Sequence, residues 1–367
     1  MSKIKAFIKK EPVFFISALC ALGTMVLVPP DKEYLGYIDF RVLCLLFCLM
    51  AVVAGFKSVG MFNALTYQLL SKIKSGKALG VTLVVLPFFS SMLVTNDVAL
   101  IIFIPFTISL IQKSECKNKV VPIIVLQTVA ANLGSMLTPI GNPQNLYLYN
   151  LSQMGLGEFI LCMLPNTLIS FVLLVIGLFF IKGKNDVVTQ SNTDALKVEK
   201  KQTIIYLILF VLSLMVVAKV IAIEGVLAIV LVVVFTVDKE VLKTVHYCLL
   251  FTFISFFIFT GNLGNIPAIR ETLQALVNGR ELIVGVAASQ AISNVPAALL
   301  LSGFTNDYRA LLAGVNIGGL GTLIASMASL ISYKILANHY DEKKGSYFKW
   351  FTIVNVLFLV VLLVFNF

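Results

Sequence analysis

The sequence predicts an all-α polytopic membrane protein of two inverted-topology repeats, each with a re-entrant helical hairpin and a broken transmembrane helix. Three observations predict it. Apolar runs recur from end to end, basic residues alternate in density between connectors, and one set of motifs occurs twice in the same order.

Charged residues make up 13% of the 367, hydrophobic residues 59%, and the mean hydropathy is +0.97. A soluble domain carries about a quarter charged residues. Spans are expected over 13–29, 42–56, 120–149, 159–181, 203–218, 222–236, 246–262, 311–336 and 350–367. Lipid surrounds such segments, so the bilayer is the first partner.

The formal charge of +10 does not call for nucleic acid, because its placement follows the spans. Of 28 Lys and Arg, 22 fall in connectors of one face and six (Lys32, Arg41, Lys219, Arg270, Arg280, Arg309) in those of the other. That imbalance is the positive-inside pattern. It puts the N-terminus in the cytoplasm and the C-terminus outside a plasma (inner) membrane. Val28-Pro29-Pro30-Asp31 reads as the outer end of a first span and not as a signal-peptide cleavage site. Six cysteines show no metal-ligand spacing, and most lie in apolar runs, where a thiol acts as a small hydrophobe.

Two apolar stretches, 79–112 and 281–304, carry polar residues at their centres and need both ends on one face to keep the charge pattern. They are expected as hairpins. An arm of about 12 residues rises about 18 Å, which brings the tip near the middle of a ~30 Å core. An amphipathic stretch precedes each, Gly60–Ile73 and Gly264–Gly279, suited to lie along the interface.

The repeat is read from residues. Thr95-Asn96-Asp97-Val98-Ala99-Leu100 corresponds to Ser293-Asn294-Val295-Pro296-Ala297-Ala298. Asn132-Leu133-Gly134 and its sequel correspond to Asn316-Ile317-Gly318, and Gly141, Asn142 and Asn145 to Ala325, Ser326 and Ser329. Residues 1–182 form the first repeat, with hairpin 79–112 and broken helix 120–149. Residues 183–218 are a cytoplasmic linker and connecting span. Residues 219–367 form the second repeat, with hairpin 281–304 and broken helix 311–336. The extra span reverses the sense of the second copy.

Thr138-Pro139-Ile140-Gly141-Asn142-Pro143 cannot continue as helix, since both prolines lack a donor. Non-helical backbone at membrane depth lines a cavity or is sealed in protein. The freed N–H groups suit an anion, and freed carbonyls suit Na⁺. Asn142, Gln144 and Asn145 favour binding over a plain kink. Asn96 and Asn294 sit at equivalent tips beside Thr95 and Ser293, where they cap helix starts and also face a common point. Asp97 is the one carboxylate expected deep in the bilayer, and it is either a coupling-ion ligand or proton carrier, or a neutral cap. Asn132 and Asn316 are either close-packing positions or ligand contacts.

At Leu93–Leu100, Leu137–Asn145, Ser289–Pro296 and Val315–Gly319 the chain resembles the ion transporter superfamily. That group includes the citrate-transporter-like and arsenical-pump permeases and the divalent anion–sodium symporters, and the likeness is greatest to the small YbiR-type anion transporters. The resemblance implies secondary active transport of a small anion by an elevator-like movement in a homodimer. By that pattern the first cation site uses Asn96 and Gly141, the second uses Ser293, Asn294 and Ala325, and substrate lies near Asn142 and Ser326. The full expected substrate set is Thr95, Asn96, Asn142, Asn145, Ser293, Asn294, Thr322 and Ser326. The coupling-ion set is Asp97, Asn96, Thr138, Gly141, Ser293, Asn294 and Ala325, with Na⁺ as the metal and no other cofactor. The tips read Thr-Asn-Asp and Ser-Asn-Val, without the tip threonines of the symporters, and the Asn-Asp pair is more like the arsenical-pump branch.

Metalloid efflux, Na⁺/H⁺ antiport and a passive channel are the alternatives. No GxxxxGK[ST] occurs, and both histidines, His246 and His339, lie at connectors, which disfavours a primary pump and an enzyme.

Overall fold

A computed structural model describes residues 7, 11–70, 75–112, 119–179 and 199–367. Most of the expected 183–200 linker lies outside them. Every regular element among the described residues is a helix, as the sequence predicts.

The principal helices are α1 (Pro12–Leu27), α2 (Phe40–Ser58), α3 (Met61–Leu70), α4 (Gly76–Ser90), α5 (Asn96–Gln112) and α6 (Val120–Ser135). Next come α7 (Pro143–Leu151), α8 (Leu156–Phe179), α9 (Lys200–Val217), α10 (Ile223–Val237), α11 (Tyr247–Gly264) and α12 (Pro267–Val277). The chain ends with α13 (Glu281–Ile292), α14 (Asn294–Leu301), α15 (Tyr308–Ile317), α16 (Met327–His339) and α17 (Lys344–Phe365). Among the described residues, five stretches are long and apolar enough to cross a membrane: α2, α8, α9, α11 and Asp341–Phe365. This is a multi-pass membrane protein.

The helices stop where the sequence removes their support. Between α6 and α7, Pro139 and Pro143 interrupt the ladder, and Asn142 restarts it as N-cap by accepting from the Asn145 N–H at 2.9 Å. Asp39 and Asp307 cap α2 and α15 in the same way. Within the two stretches expected as hairpins, the connections between helices differ in length. Residues 91–95 separate α4 from α5, whereas Ser293 alone separates α13 from α14. Ser293 does this at φ +75°, a conformation that side-chain-bearing residues rarely adopt.

Two groups of helices emerge from the packing. In one, α9 and α10 pack on α2, and α1 on α11. In the other, α4, α5, α8, α16 and α17 surround α6, and α13 and α14 pack on α15. All of α6 except Pro122 is buried, which fits a helix apolar all round. Two glycines permit the closest approaches in this group. A Cβ on Gly134 of α6 would lie 2.0 Å from the Phe88 carbonyl oxygen of α4, and one on Gly314 of α15 2.6 Å from that of Leu282 in α13. The groups meet where α7 packs on α2 and α14 on α11.

At the Asp39 end of α2, polar contacts tie the groups together. Asn150 donates to Asp39 Oδ2 at 2.8 Å, Tyr149 Oη to the Val217 carbonyl at 3.0 Å, and Lys219 Nζ to the Met154 carbonyl at 3.1 Å. Burial and neighbouring Arg41 hold the Lys219 ammonium below its ordinary pKa. Glu158 and Arg309 form an ion pair between α8 and α15.

Candidate functional site

Helix ends from both halves of the chain converge on a buried network of amides and hydroxyls. Asn132 of α6 is one hub. Its Oδ1 accepts from Asn96 Nδ2 at 2.9 Å and Ser326 Oγ at 3.0 Å, while its Nδ2 donates to Ser329 Oγ at 3.3 Å. Asn316 of α15 is the other. It accepts from Asn142 Nδ2 at 3.1 Å and donates to Asn145 Oδ1 at 2.7 Å and the Leu312 carbonyl at 2.8 Å.

The tips dock onto the breaks in matched fashion. The Asn96 N–H donates to the Gly141 carbonyl at 3.1 Å, and Ser293 Oγ donates to the Ala325 carbonyl at 3.4 Å. Gly141 is needed for this geometry, because a Cβ there would fall 2.0 Å from the Ser135 carbonyl oxygen. Thr138 Oγ1 donates to the Met92 carbonyl, and the Thr138 carbonyl accepts from Asn145 Nδ2 at 3.1 Å. Asn294 accepts only from the adjacent Val295 N–H at 3.0 Å, and its amide nitrogen lies where a Gly319 Cβ would come within 3.0 Å.

A cavity of about 480 Å³ opens between the two helix groups. Thr95, Asp97, Asn142 and Pro143 line its inner part, and Glu11, Lys57, His246 and Lys334 line the rest with apolar side chains of α2, α5 and α16. Lys57 lies in the last turn of α2, whose other end Asp39 caps, so cavity and polar ties occupy opposite ends of that helix. Glu11 and His246 face each other at 3.4 Å beside the cavity. Among the described residues no side chain pairs with the Asp97 carboxylate.

The structure therefore sorts the expected residues. Thr95, Asp97 and Asn142 face the cavity. Asn96, Gly141, Ser293, Asn294, Ala325 and Ser326 are buried in or beside the network, with Thr138 half-buried at its edge. Asn145 is saturated, donating to the carbonyls of Ser135, Met136 and Thr138 while accepting from Asn316. Thr322 is exposed, away from the cavity, and its hydroxyl donates to the Gln290 carbonyl at 3.2 Å. Glu11, Lys57, His246 and Lys334 carry no local signal that would have marked them, since they come from connectors far apart in sequence.

No lysine or arginine is buried among the described residues, and no group of three His, Cys, Asp or Glu side chains could hold a metal ion. What the centre offers instead is helix N-termini, amides, hydroxyls and main-chain carbonyls. Groups of this kind suit small polar solutes and alkali cations, which dipoles and oxygen lone pairs can hold.

A multi-pass helical protein with two interrupted helices meeting at a polar centre is a membrane transporter, and the comparisons agree. The chain belongs to the citrate transporter family, whose model matches residues 6–306. An uncharacterized transporter of Methanocaldococcus jannaschii is 33% identical over 351 residues, covering 95% of each chain. The inner membrane protein YbiR of Escherichia coli is 30% identical over 329 residues, 88% of this chain and 87% of that one. A silicon efflux transporter of Oryza sativa subsp. japonica is 34% identical over 141 residues, 38% of this chain and 28% of that one.

Proposed function

We propose that this transporter moves a small anion, coupled to Na⁺ or H⁺, by elevator-like alternating access. The two groups of helices act as a fixed frame and a moving carrier. The observation that carries the reading is the cavity between them, which reaches Asp97 and Asn142 from the Lys57 end while Asp39–Asn150 and Lys219–Met154 bind the groups at the other. The positive-inside pattern makes this an inward-open state, with the N-terminus cytoplasmic and the C-terminus external.

Residues 1–182 and 219–367 are the inverted repeats in this reading. The matched contacts Asn96–Gly141 and Ser293–Ala325 support it. Carbonyls of Thr138, Gly141 and Ala325, with Asn96, Ser293, Asn294 and Asp97, supply oxygen ligands for Na⁺; alternatively Asp97 carries a proton. Substrate meets Thr95, Asn96, Asn142, Ser293, Asn294 and Ser326 through hydrogen bonds and helix dipoles, since no lysine or arginine among the described residues is buried. The homodimer implied by the resemblance belongs to the same reading.

Efflux of a small metalloid hydroxide is the second reading. Similarity to the rice silicon efflux transporter favours it, as does a centre without buried positive charge. Flux into proteoliposomes under imposed Na⁺ and pH gradients tests the proposal. Coupled transport accumulates solute against its gradient when either cation gradient is applied. Flux that only follows the solute gradient makes the protein a channel.

A further inference from the structure

Three amides follow the break at Gly141, and two are consumed by the fold. Asn142 caps α7 and joins Ser135 and Asn316; Asn145 is held by three carbonyls and Asn316. Gln144 differs. The residue is 1% exposed, and among the described residues neither Oε1 nor Nε2 has a hydrogen-bond partner. Buried amides are nearly always satisfied on both sides, so an amide unmet at both atoms calls for an explanation.

Its placement supplies one. Gln144 lies one turn before Tyr147 and Leu148 on the same face of α7. Tyr147 on that face meets Ser302 Oγ at 2.8 Å, just beyond α14, and lies edge-on to Phe253 and tilted to Phe257 of α11. Gln144 is thus in the first turn of α7, on the side where α7 packs against α14. The two helix N-termini offer N–H donors and no acceptor. Oε1 of Gln144 is an acceptor with nothing to accept.

We propose that Gln144 is the solute-reading residue of this transporter, and that its solute is a small hydroxylated oxyacid which keeps at least one proton. The inference rests on the carrier reading above and deepens it. Nε2 donates and Oε1 accepts. A fully deprotonated oxyanion satisfies only the first, and a bare cation only the second. A molecule with both X–O and X–OH groups satisfies both, and its remaining oxygens take the helix N–H groups. Both atoms are sealed off in this conformation, so the solute meets them when the arm α14 opens locally from α7 inside the carrier group that holds both.

The test uses the full-length protein, with silicic, boric and arsenous acids and phosphate at pH 6 as hydroxylated probes, and sulfate and selenate, both fully deprotonated at that pH, as controls. Thermal unfolding and proteoliposome flux are read for wild type, Gln144→Met and Gln144→Glu. Gln144→Met is expected to melt at or above the wild-type temperature, because it removes an unpaired amide at nearly constant volume. It should lose at least tenfold in flux of the hydroxylated probe that wild type prefers, along with that probe's thermal shift. Gln144→Glu, an acceptor only, should keep uncharged acids better than phosphate. Retained flux and shift in Gln144→Met overturn the inference, as does a markedly lower melting temperature in that variant. Wild type that carries sulfate or selenate and ignores every hydroxylated probe leaves the carrier reading standing and removes this one. Wild type that binds and carries none of the probes removes both.

Discussion

Asn142 Nδ2 donates to Asn316 Oδ1 at 3.1 Å, although the two residues are 174 positions apart. The bond ties the break after α6 to the end of α15, so the interrupted helices of the two halves are held in one register. Asn316 also satisfies Asn145 Oδ1. The centre is therefore a shared network and not two adjoining sites.

Asn316→Leu leaves Asn142 Nδ2 and Asn145 Oδ1 each short of a partner. Each unmet buried group costs about 1–3 kcal/mol. Unfolding in detergent should show a loss of about 2–5 kcal/mol, several times that of Thr322→Ala, whose hydroxyl lies at an exposed site. Equal melting temperatures for the two variants would show that the network carries no load.

Asp97 faces the cavity, and among the described residues no side chain pairs with its carboxylate, so its charge is not needed for packing. Asp97→Asn should fold with a melting temperature within a few degrees of wild type and lose cation-coupled accumulation, as expected when an intramembrane ionisable residue carries function. Full accumulation in proteoliposomes would remove Asp97 from the coupling step.

Asp39→Ala frees Asn150, and Lys219→Ala frees the Met154 carbonyl, on the side where the groups are joined. The double variant should shift the equilibrium toward the opposite opening. A cysteine at Leu146, which lines the cavity, should then react more slowly with a membrane-impermeant maleimide added from the Lys57 side. An unchanged labelling rate would mean these contacts do not bias the states.

Gly141→Ala places a methyl 2.0 Å from the Ser135 carbonyl oxygen. The break must shift to accept it, and overpacking of this kind costs about 1–3 kcal/mol. Transport should fall further than stability, because the shift moves the Gly141 carbonyl that receives the Asn96 N–H. Gly264→Ala is the control, since nothing lies within 4 Å of its added Cβ. Similar activities in the two variants would contradict the role given to Gly141.

Sequence alone determined the membrane class, the helical fold and the positions of the breaks. These are set locally: hydropathy decides which segments prefer lipid, and Pro139, Gly141 and Pro143 end a helix whatever surrounds them. Asp97 could likewise be singled out, because a carboxylate amid apolar residues is conspicuous in one dimension. Tertiary structure decided how each polar group spends its hydrogen bonds. Asn145 and Gln144 are adjacent amides with the same chemistry, yet one is saturated by α6 and α15 while the other meets nothing. The cavity wall also waited on the fold, since Glu11, Lys57, His246 and Lys334 come together only once α1, α2, α11 and α16 pack. Helix breaking is a property of a few consecutive residues, whereas satisfaction of a buried amide depends on neighbours that the chain brings back from far away.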